Sequence, residues 1–458
     1  MMARELTGFI LAYVAIAAFG APLAFTAVLR SKTIVARAGF AFLGGSVVLT
    51  SWMTLLSIAG VRWSIASIGI PLLVISSAGS ILLARRKRPE PRFDIPPVDA
   101  LTRWAWLLTV AAVVYLAIAG FSTYATSADY LFFWGAKAAR FVAAGGFDAR
   151  FLNWEYAVHM HPSYPQLVPA VYGWQALMIG RHSWSLGLTV PAIWLFAGAV
   201  TIESILSEIS TRRVAAAFTA FWSLAIALSL VDSWSAGNAE APLLVFATVA
   251  AVLLFSTRFD VSTATVAGVC LGGALLTKTE GVLIVGAFIA AALIQRWIER
   301  RRMEWLSLAT SLGIAAVSLG LWIALELLAH IPIIDPQREY GGGIHWRNAI
   351  PIVGSLLENM PAGSYWLAWL VPLIALLVFR GRIRTLLPYV IAGGGLLAAY
   401  YLYFLRLPYE PTQLIVWTFP RISQPTLSLW IVGAALATGE NAVLQEWPGA
   451  RIDIGPLP

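Results

Sequence analysis

The sequence predicts an all-α polytopic membrane protein, on the strength of composition, apolar runs and charge placement. Of 458 residues, 59% are hydrophobic and 12% are charged, with mean hydropathy +0.78, whereas soluble domains carry about 25% charged residues. Thirteen apolar runs follow one another along the chain, measured against the roughly 20 residues that cross a bilayer. The net charge of +8 indicates positive cytoplasmic loops rather than a nucleic-acid partner.

The thirteen predicted spans leave few long loops. They cover residues 7–29, 38–60, 65–84, 104–121, 186–204, 214–231, 242–256, 262–276, 281–295, 305–329, 364–379, 386–404 and 424–438. Two of these spans, 262–276 and 281–295, are short, and they are either tilted helices or the two arms of one re-entrant pair. The single cysteine, Cys270, lies in an apolar run and is expected to be a small core residue.

Arginine and lysine predict the orientation of the chain. When the loop after the third span is placed inside, 20 of the 31 Lys and Arg residues fall on that side, and the positive side of a membrane protein is cytoplasmic. The N-terminus is then outside and the C-terminus inside. We therefore expect a multi-pass protein of the bacterial inner membrane, in contact with membrane lipids, whose long loops 122–184 and 330–362 face the periplasm or the cell exterior.

The outer loop 122–184 is the longest segment that is not plainly membrane helix. It is aromatic but too interrupted to span a bilayer, so we predict two amphipathic helices lying in the interface plane with a turn between them. Asp129, Phe133, Lys137 and Phe141 recur every four residues, which places them on one helix face. The alternative is an aromatic interfacial anchor with incidental charges.

A proline-rich run, HPSYP, begins at His161 in the second half of this loop. His159 and His161 could bind a metal, but alternating residues share a face only in a strand, and this run is not clearly one. Histidine also serves as a plain hydrogen-bonding residue. Trp134, His161 and Tyr164 are candidate substrate-binding side chains.

Ionisable residues near the outer ends of two later spans are further candidates. Glu240 lies in GNAEAPL, where it either faces Asp129 across a cleft or simply interacts with a helix N-terminus. Lys278 and Glu280 lie in LTKTEG between two short spans, and charged residues at such depth are functional candidates. Alternatively, Lys278 and Glu280 pair with each other or reach the interface with their long side chains.

Arg421 precedes the last predicted span on the outer side, in PRISQPTLSL. A guanidinium in that position suits a phosphate or carboxylate; the alternative is an interface anchor. The outer loop 330–362 is rich in Gly and Pro and too long for a simple connector, so it is either a lid or substrate loop or an ordinary outer loop.

These motifs, in this order and on one side of the membrane, resemble the GT-C membrane glycosyltransferases, among them the bacterial protein O-mannosyltransferases and lipid A aminoarabinose transferases. The motifs are SADYLFFWGAKA, HPSYP, GNAEAPL, LTKTEG and PRISQPTLSL. The resemblance covers residues 101–438 as a catalytic membrane module. Residues 1–100 are then a three-helix N-terminal addition, and residues 439–458 a cytoplasmic tail.

The resemblance implies an inverting glycosyltransferase that moves a hexosyl or pentosyl group from a polyprenyl-phosphate donor to an acceptor hydroxyl at the outer face. Asp129 would be the general base. The donor phosphate would be bound by Lys137, Lys278 and Arg421, and the substrates by Glu240, His161, Tyr164, Glu280 and Trp134. No cofactor is assigned, although a divalent metal is left open, with His159 and His161 as its candidates.

The sequence departs from the O-mannosyltransferase pattern in one place, because Tyr130 follows Asp129 where that pattern has Asp-Glu. The acceptor is therefore left open between lipid, glycan and protein. The rival hypotheses are a multi-pass transporter or flippase of a cell-envelope intermediate, which intramembrane charges and short spans also suit, and a structural partner of an envelope complex.

Overall fold

The structure, a computed structural model of the chain, describes residues 2–26, 28–30, 32–85, 99–123, 125–232, 239–256, 259–300, 304–333, 343–359, 366–378 and 383–438. Within these ranges the chain is helical and forms no β-strand. The predicted tail 439–458 and residues 334–342 and 360–362 of the outer loop 330–362 lie outside the described residues.

The helices run in chain order as follows. The first half contains α1 (Met2–Phe19), α2 (Ile34–Ile58), α3 (Ile65–Ala84), α4 (Ala100–Ser122), α5 (Gly135–Ala144), α6 (Ala149–Leu152), α7 (Leu167–Ile179), α8 (Trp184–Gly187), α9 (Val190–Ile209) and α10 (Arg212–Asp232). The second half contains α11 (Glu240–Ser256), α12 (Val261–Thr277), α13 (Glu280–Ile298), α14 (Trp305–Leu328), α15 (Ala349–Asn359), α16 (Trp366–Val378), α17 (Ile383–Leu405), α18 (Thr412–Ile422) and α19 (Gln424–Thr438). Four short turns of 3-10 or π helix lie at Ala21–Phe25, Tyr130–Trp134, Glu155–Met160 and Trp346–Asn348.

The all-α membrane architecture is confirmed, and a helix lies in each of the thirteen predicted spans. Among the described residues, eight helical segments are long and apolar enough to cross a membrane: Ile34–Ile58, Ile65–Ala84, Ala100–Ser122, Trp184–Ile209, Arg212–Val231, Glu280–Ile298, Trp305–Leu328 and Arg384–Leu405. The count of thirteen spans stays a prediction, because α11 and α12 have 17 residues each, α16 has 13 and α19 has 15.

Burial separates central helices from lipid-facing ones. The most apolar stretch of α2 is 67% buried, whereas those of α3 and α4 are 22% and 28% buried. Rows of apolar side chains are exposed on the outer helices, for example Ile70, Val74, Trp104, Leu107 and Val317. Apolar surface of this extent requires an apolar partner, and the bilayer supplies one.

The first three helices are integrated into the bundle. α2 packs against α1 and also against α9, α12 and α14, which belong to the later part of the chain. Gly39 of α2 approaches Val200 and Thr201 of α9 so closely that a β-carbon there would lie 2.6 Å from the Val200 side chain. The division of the chain at residue 100 stays a prediction, and these contacts are the interface that any such division would cross.

The outer loop 122–184 differs in part from the predicted pair of interfacial helices. The segment α5 is amphipathic: Lys137 and Phe141 are buried and Arg140 is exposed. The helix α7, in contrast, is buried along almost its whole length. Its sequence LVPAVYGWQALMI is apolar on every side, and a helix of that kind is buried rather than laid on an interface.

Polar contacts tie the loops together at both ends of the helices. At one end, Lys32 pairs with Glu208 at 2.6 Å, and Arg213 pairs with Asp99. Lys32 and Asp99 precede α2 and α4, Arg213 lies in the first turn of α10, and Glu208 lies in the last turn of α9. The opposite end carries the outer loop 122–184 and the starts of α11 and α13. The charged candidates of the sequence therefore lie at the end of the bundle remote from the Lys32 cluster.

The orientation is testable with two exposed threonines at opposite ends, Thr126 and Thr211. In a Cys270→Ala background, which removes the single thiol, we expect Thr126→Cys to react with a membrane-impermeant maleimide in intact cells. Thr211→Cys should react only after permeabilisation, because the arginine-rich loops are predicted to be cytoplasmic. The reverse labelling pattern would place the charged cluster on the cytoplasmic side.

Candidate functional site

Two charged residues that are 292 positions apart in sequence form an ion pair at the end of the bundle that carries the loop 122–184. Nη1 of Arg421 donates to Oδ2 of Asp129 at 2.8 Å, and the two side chains are 25% and 26% exposed. Asp129 immediately precedes the π turn Tyr130–Trp134, and Arg421 lies in the last turn of α18. The geometry joins the outer loop 122–184 to the approach to the last helix.

Tyr130 anchors the backbone next to Asp129. Its ring is completely buried and packs edge-on against Tyr172 and Trp184. Its hydroxyl lies against Gly187, where a β-carbon would be 1.8 Å from the tyrosine oxygen. Where the O-mannosyltransferase pattern has Glu, this chain therefore has a buried tyrosine, directly after the carboxylate of Asp129. The turn that holds it is a π turn, a conformation frequently found at functional sites.

A second charged group surrounds Lys278, in the short link between α12 and α13. Its Nζ lies 2.8 Å from Oε1 of Glu240 and 3.6 Å from Oε1 of Glu280. The three side chains are only 6–11% exposed. The sequence left open whether Lys278 pairs with Glu280 or reaches the interface; the structure places it between two carboxylates, with the shorter contact to Glu240 at the N-terminus of α11.

Electrostatics keep both cations charged. Burial lowers the pKa of the Lys278 ammonium, but Glu240 and then Glu280 raise it by more, so the net pKa lies above its ordinary value. For Arg421, burial likewise lowers the pKa, while Glu240 and Asp129 raise it to a net increase. Two permanent positive charges are therefore held within a group that contains three carboxylates.

An aromatic platform lies beside this charged group. The ring of His161 stacks between Phe133 and Tyr164, with centroid distances of 5.6 and 4.6 Å. Trp134 packs against Tyr164 at 6.1 Å, and the ammonium of Lys278 lies 6.0 Å above the Tyr164 ring, within cation–π range. Three predicted substrate-binding side chains, Trp134, His161 and Tyr164, are therefore brought together next to Lys278.

Lys137 occupies a different environment from the one predicted for a phosphate ligand. Its side chain is completely buried, and Nζ donates to the backbone oxygen of His161 at 2.8 Å. His161 has a φ of 50°, a left-handed conformation that is uncommon outside glycine. The contact shown for Lys137 therefore supports the left-handed start of HPSYP. Lys137 does not line the cavity described below, and neither do Asp129, Trp134, His161 and Tyr164.

A small cavity lies between the two charged groups. It is lined by Glu240, Leu243, Lys278, Glu280, Tyr400, Arg421, Ile422, Gln424 and Pro425. Its enclosed volume of about 10 Å³ is close to the space of one water molecule. Sequence reasoning missed Gln424 and Tyr400, which are uncharged and lie at or near the ends of apolar helices.

The described residues contain no group of three His, Cys, Asp or Glu side chains arranged to hold a metal. The carboxylates that could ligate a divalent cation have cationic neighbours: Asp129 pairs with Arg421, and Glu240 and Glu280 flank Lys278. The side chain of His159 lies outside the described residues, so the suggested His159–His161 pair stays a prediction.

The buried triad is testable through stability. Lys278→Met should lower the free energy of unfolding by about 3–5 kcal/mol, because it leaves Glu240 and Glu280 buried without their cation. Adding Glu240→Gln should restore part of the loss. The matched control is Lys32→Met, whose partner Glu208 is 33% exposed and can be hydrated; its loss, measured in the same detergent by chemical unfolding, should be smaller. Equal losses would show that desolvation does not govern the triad.

Comparisons with protein-family models, with curated proteins and with solved structures give no match to this chain.

Proposed function

We propose that the chain is an inverting membrane glycosyltransferase that transfers a sugar from a polyprenyl phosphate to an acceptor hydroxyl at the outer face. The observation that carries this proposal is the Asp129–Arg421 ion pair beside the Lys278 triad. A carboxylate that can accept a proton contacts Arg421, and Arg421 lines one cavity together with Lys278, so that two cations are available to bind a phosphate there. General-base chemistry and stabilisation of a phosphate leaving group are the two requirements of this reaction.

Arg421 is suited to the phosphate because it has unused hydrogen-bonding capacity. Its Nη1 donates to Asp129, whereas its buried Nε has no hydrogen-bond partner among the described residues. An unpaired buried N–H is costly, and a phosphate oxygen would satisfy it. A planar guanidinium can also donate to two phosphate oxygens at once. Lys278, which lines the same cavity, would add a second positive charge.

The enclosed cavity is too small for a sugar phosphate, so donor binding requires the charged side chains to move. In the proposed mechanism the donor phosphate binds the guanidinium of Arg421 in place of Asp129. The carboxylate of Asp129 is then free to act as a base. The acceptor oxygen attacks the anomeric carbon, the bond from that carbon to the phosphate oxygen breaks, and the hydroxyl proton passes to Asp129. Polyprenyl phosphate leaves with its charge stabilised by Arg421 and Lys278.

The remaining residues take supporting roles in this mechanism. Glu240 and Glu280 hold Lys278 in place and offer acceptors to substrate hydroxyls. Trp134, His161 and Tyr164 form an apolar and aromatic wall suited to a sugar face, and Lys137 positions His161. A transporter or flippase remains the rival function, and labelled polyprenyl-phosphate sugar separates the two: the proposed enzyme consumes it in detergent, whereas a carrier leaves it intact.

Asp129→Asn is the direct test of the base. The substitution preserves shape but removes the proton acceptor, so turnover should fall by about a hundredfold or more while the protein remains folded. The matched control is Glu5→Gln, which alters the carboxylate of another outer arginine pair, Glu5–Arg181 at 2.7 Å, and should keep normal turnover. Near-normal activity of Asp129→Asn would assign the base to another residue, with Glu240 next to be tested.

Arg421→Lys and Arg421→Ala test the phosphate site. We expect Arg421→Ala to raise the donor KM and lower kcat, because the guanidinium would bind phosphate in both ground and transition states. Arg421→Lys should recover part of the loss, since lysine is a point charge without the bidentate geometry. Arg181→Lys serves as the control. If Arg421→Lys matches the wild type in donor kinetics, the arginine is an interface residue and Lys278 becomes the leading phosphate ligand.

A further inference from the structure

Gln424, the first residue of α19, lines the cavity together with Glu240, Lys278 and Arg421. Its side chain is almost completely removed from solvent, with 1% of the residue exposed. A buried amide normally satisfies both its donor and its acceptor. The hydrogen bonds of Gln424 therefore show which of its polar atoms still needs a partner.

Only one end of the Gln424 amide is satisfied among the described residues. Nε2 donates to the hydroxyl of Ser229 at 2.6 Å. Oε1 is buried and has no hydrogen-bond partner there. An acceptor left unpaired in a buried position is costly, so a ligand that enters the cavity and donates a hydrogen bond would gain that interaction.

We propose that Gln424 is a specificity-determining residue that recognises a hydroxyl of the transferred sugar; this inference rests on the proposed function. Of the three parts of a polyprenyl-phosphate sugar, the isoprenoid chain has no donor and the ionised phosphodiester has only acceptors. The sugar hydroxyls are the donors that remain. Oε1 of Gln424 therefore faces the sugar rather than the phosphate when the donor is bound.

The rest of the lining narrows the class of sugar. Glu240 and Glu280 line the same cavity as Gln424 and place two carboxylates in its wall. Carboxylates accept hydrogen bonds from hydroxyls but repel another carboxylate. The lining accordingly favours a sugar with free hydroxyls, and a uronic acid is disfavoured.

The test compares two ligands that differ only in the sugar. The purified full-length protein is titrated with bare polyprenyl phosphate and with polyprenyl phosphates that carry glucose, mannose, galactose or arabinose, and the best-bound of these is used for the variants. Gln424→Met removes the acceptor at nearly constant volume. We expect it to weaken the sugar-bearing ligand roughly 10- to 100-fold and to leave the bare phosphate within about twofold, a change no larger than that of a minor surface substitution.

The matched control lies one turn further along the same helix. Ser428 is buried and hydrogen-bonds to Trp222 and Thr248, but it does not line the cavity. Ser428→Ala should change the affinity for both ligands to the same small extent. The thermal stability of ligand-free Gln424→Met should be no lower than that of Ser428→Ala, because the methionine removes an unpaired acceptor together with one hydrogen bond.

Each outcome decides the inference. Selective loss of the sugar-bearing ligand supports it. Equal weakening of both ligands shows that Gln424 is structural, and unchanged affinity for both removes it from the site; either result overturns the inference while the proposed function stands. If the wild type binds neither ligand, and if Arg421→Ala also leaves the donor KM and kcat unchanged, the proposed function is wrong. The inference is then wrong as well.

Discussion

An ammonium group in a low-dielectric interior requires counter-charges within a few ångströms, and Lys278 imposes that requirement on the end of the bundle that carries the loop 122–184. The cost of removing one ion from water is several kcal/mol, more than a single surface ion pair returns. Two carboxylates from two different helices therefore surround it: Glu240 at the start of α11 and Glu280 at the start of α13. The ring of Tyr164 lies on a third side. Three separate segments are thus held in register by one charge.

The ion pairs at the opposite end of the bundle are more exposed to solvent than the Lys278 group. Asp99 caps the start of α4 and pairs with Arg213, and Glu208 meets Lys32. Arg213 and Glu208 are 66% and 33% exposed, so water shares in stabilising these two charges, although Lys32 itself is buried. These contacts connect neighbouring loops, whereas the Lys278 group encloses a cavity. Each pair at this end keeps one partner at least about a third exposed, whereas all three charged members of the Lys278 group are buried.

Much of the architecture followed from hydropathy, because apolar runs of near-bilayer length become helices wherever they occur. Asp129, Glu240, Lys278 and Arg421 were also recognisable from sequence, since ionisable residues at the ends of membrane spans are costly and therefore informative. Their convergence was not predictable from spacing, because residues 292 positions apart meet only through the packing of many helices. Gln424 was missed for a related reason: it is uncharged, and its significance depends on an unsatisfied oxygen that only three-dimensional structure shows.

Gly187 shows how a residue without a functional group can carry as much constraint as a charged one. Its α-carbon lies directly against the hydroxyl of Tyr130, and Tyr130 is the residue that follows Asp129. Any side chain at position 187 must displace that ring, and the displacement passes along one peptide bond to the carboxylate. A substitution at Gly187 would therefore disturb the position of Asp129 from a site 58 residues away in the sequence, although glycine itself has no functional group.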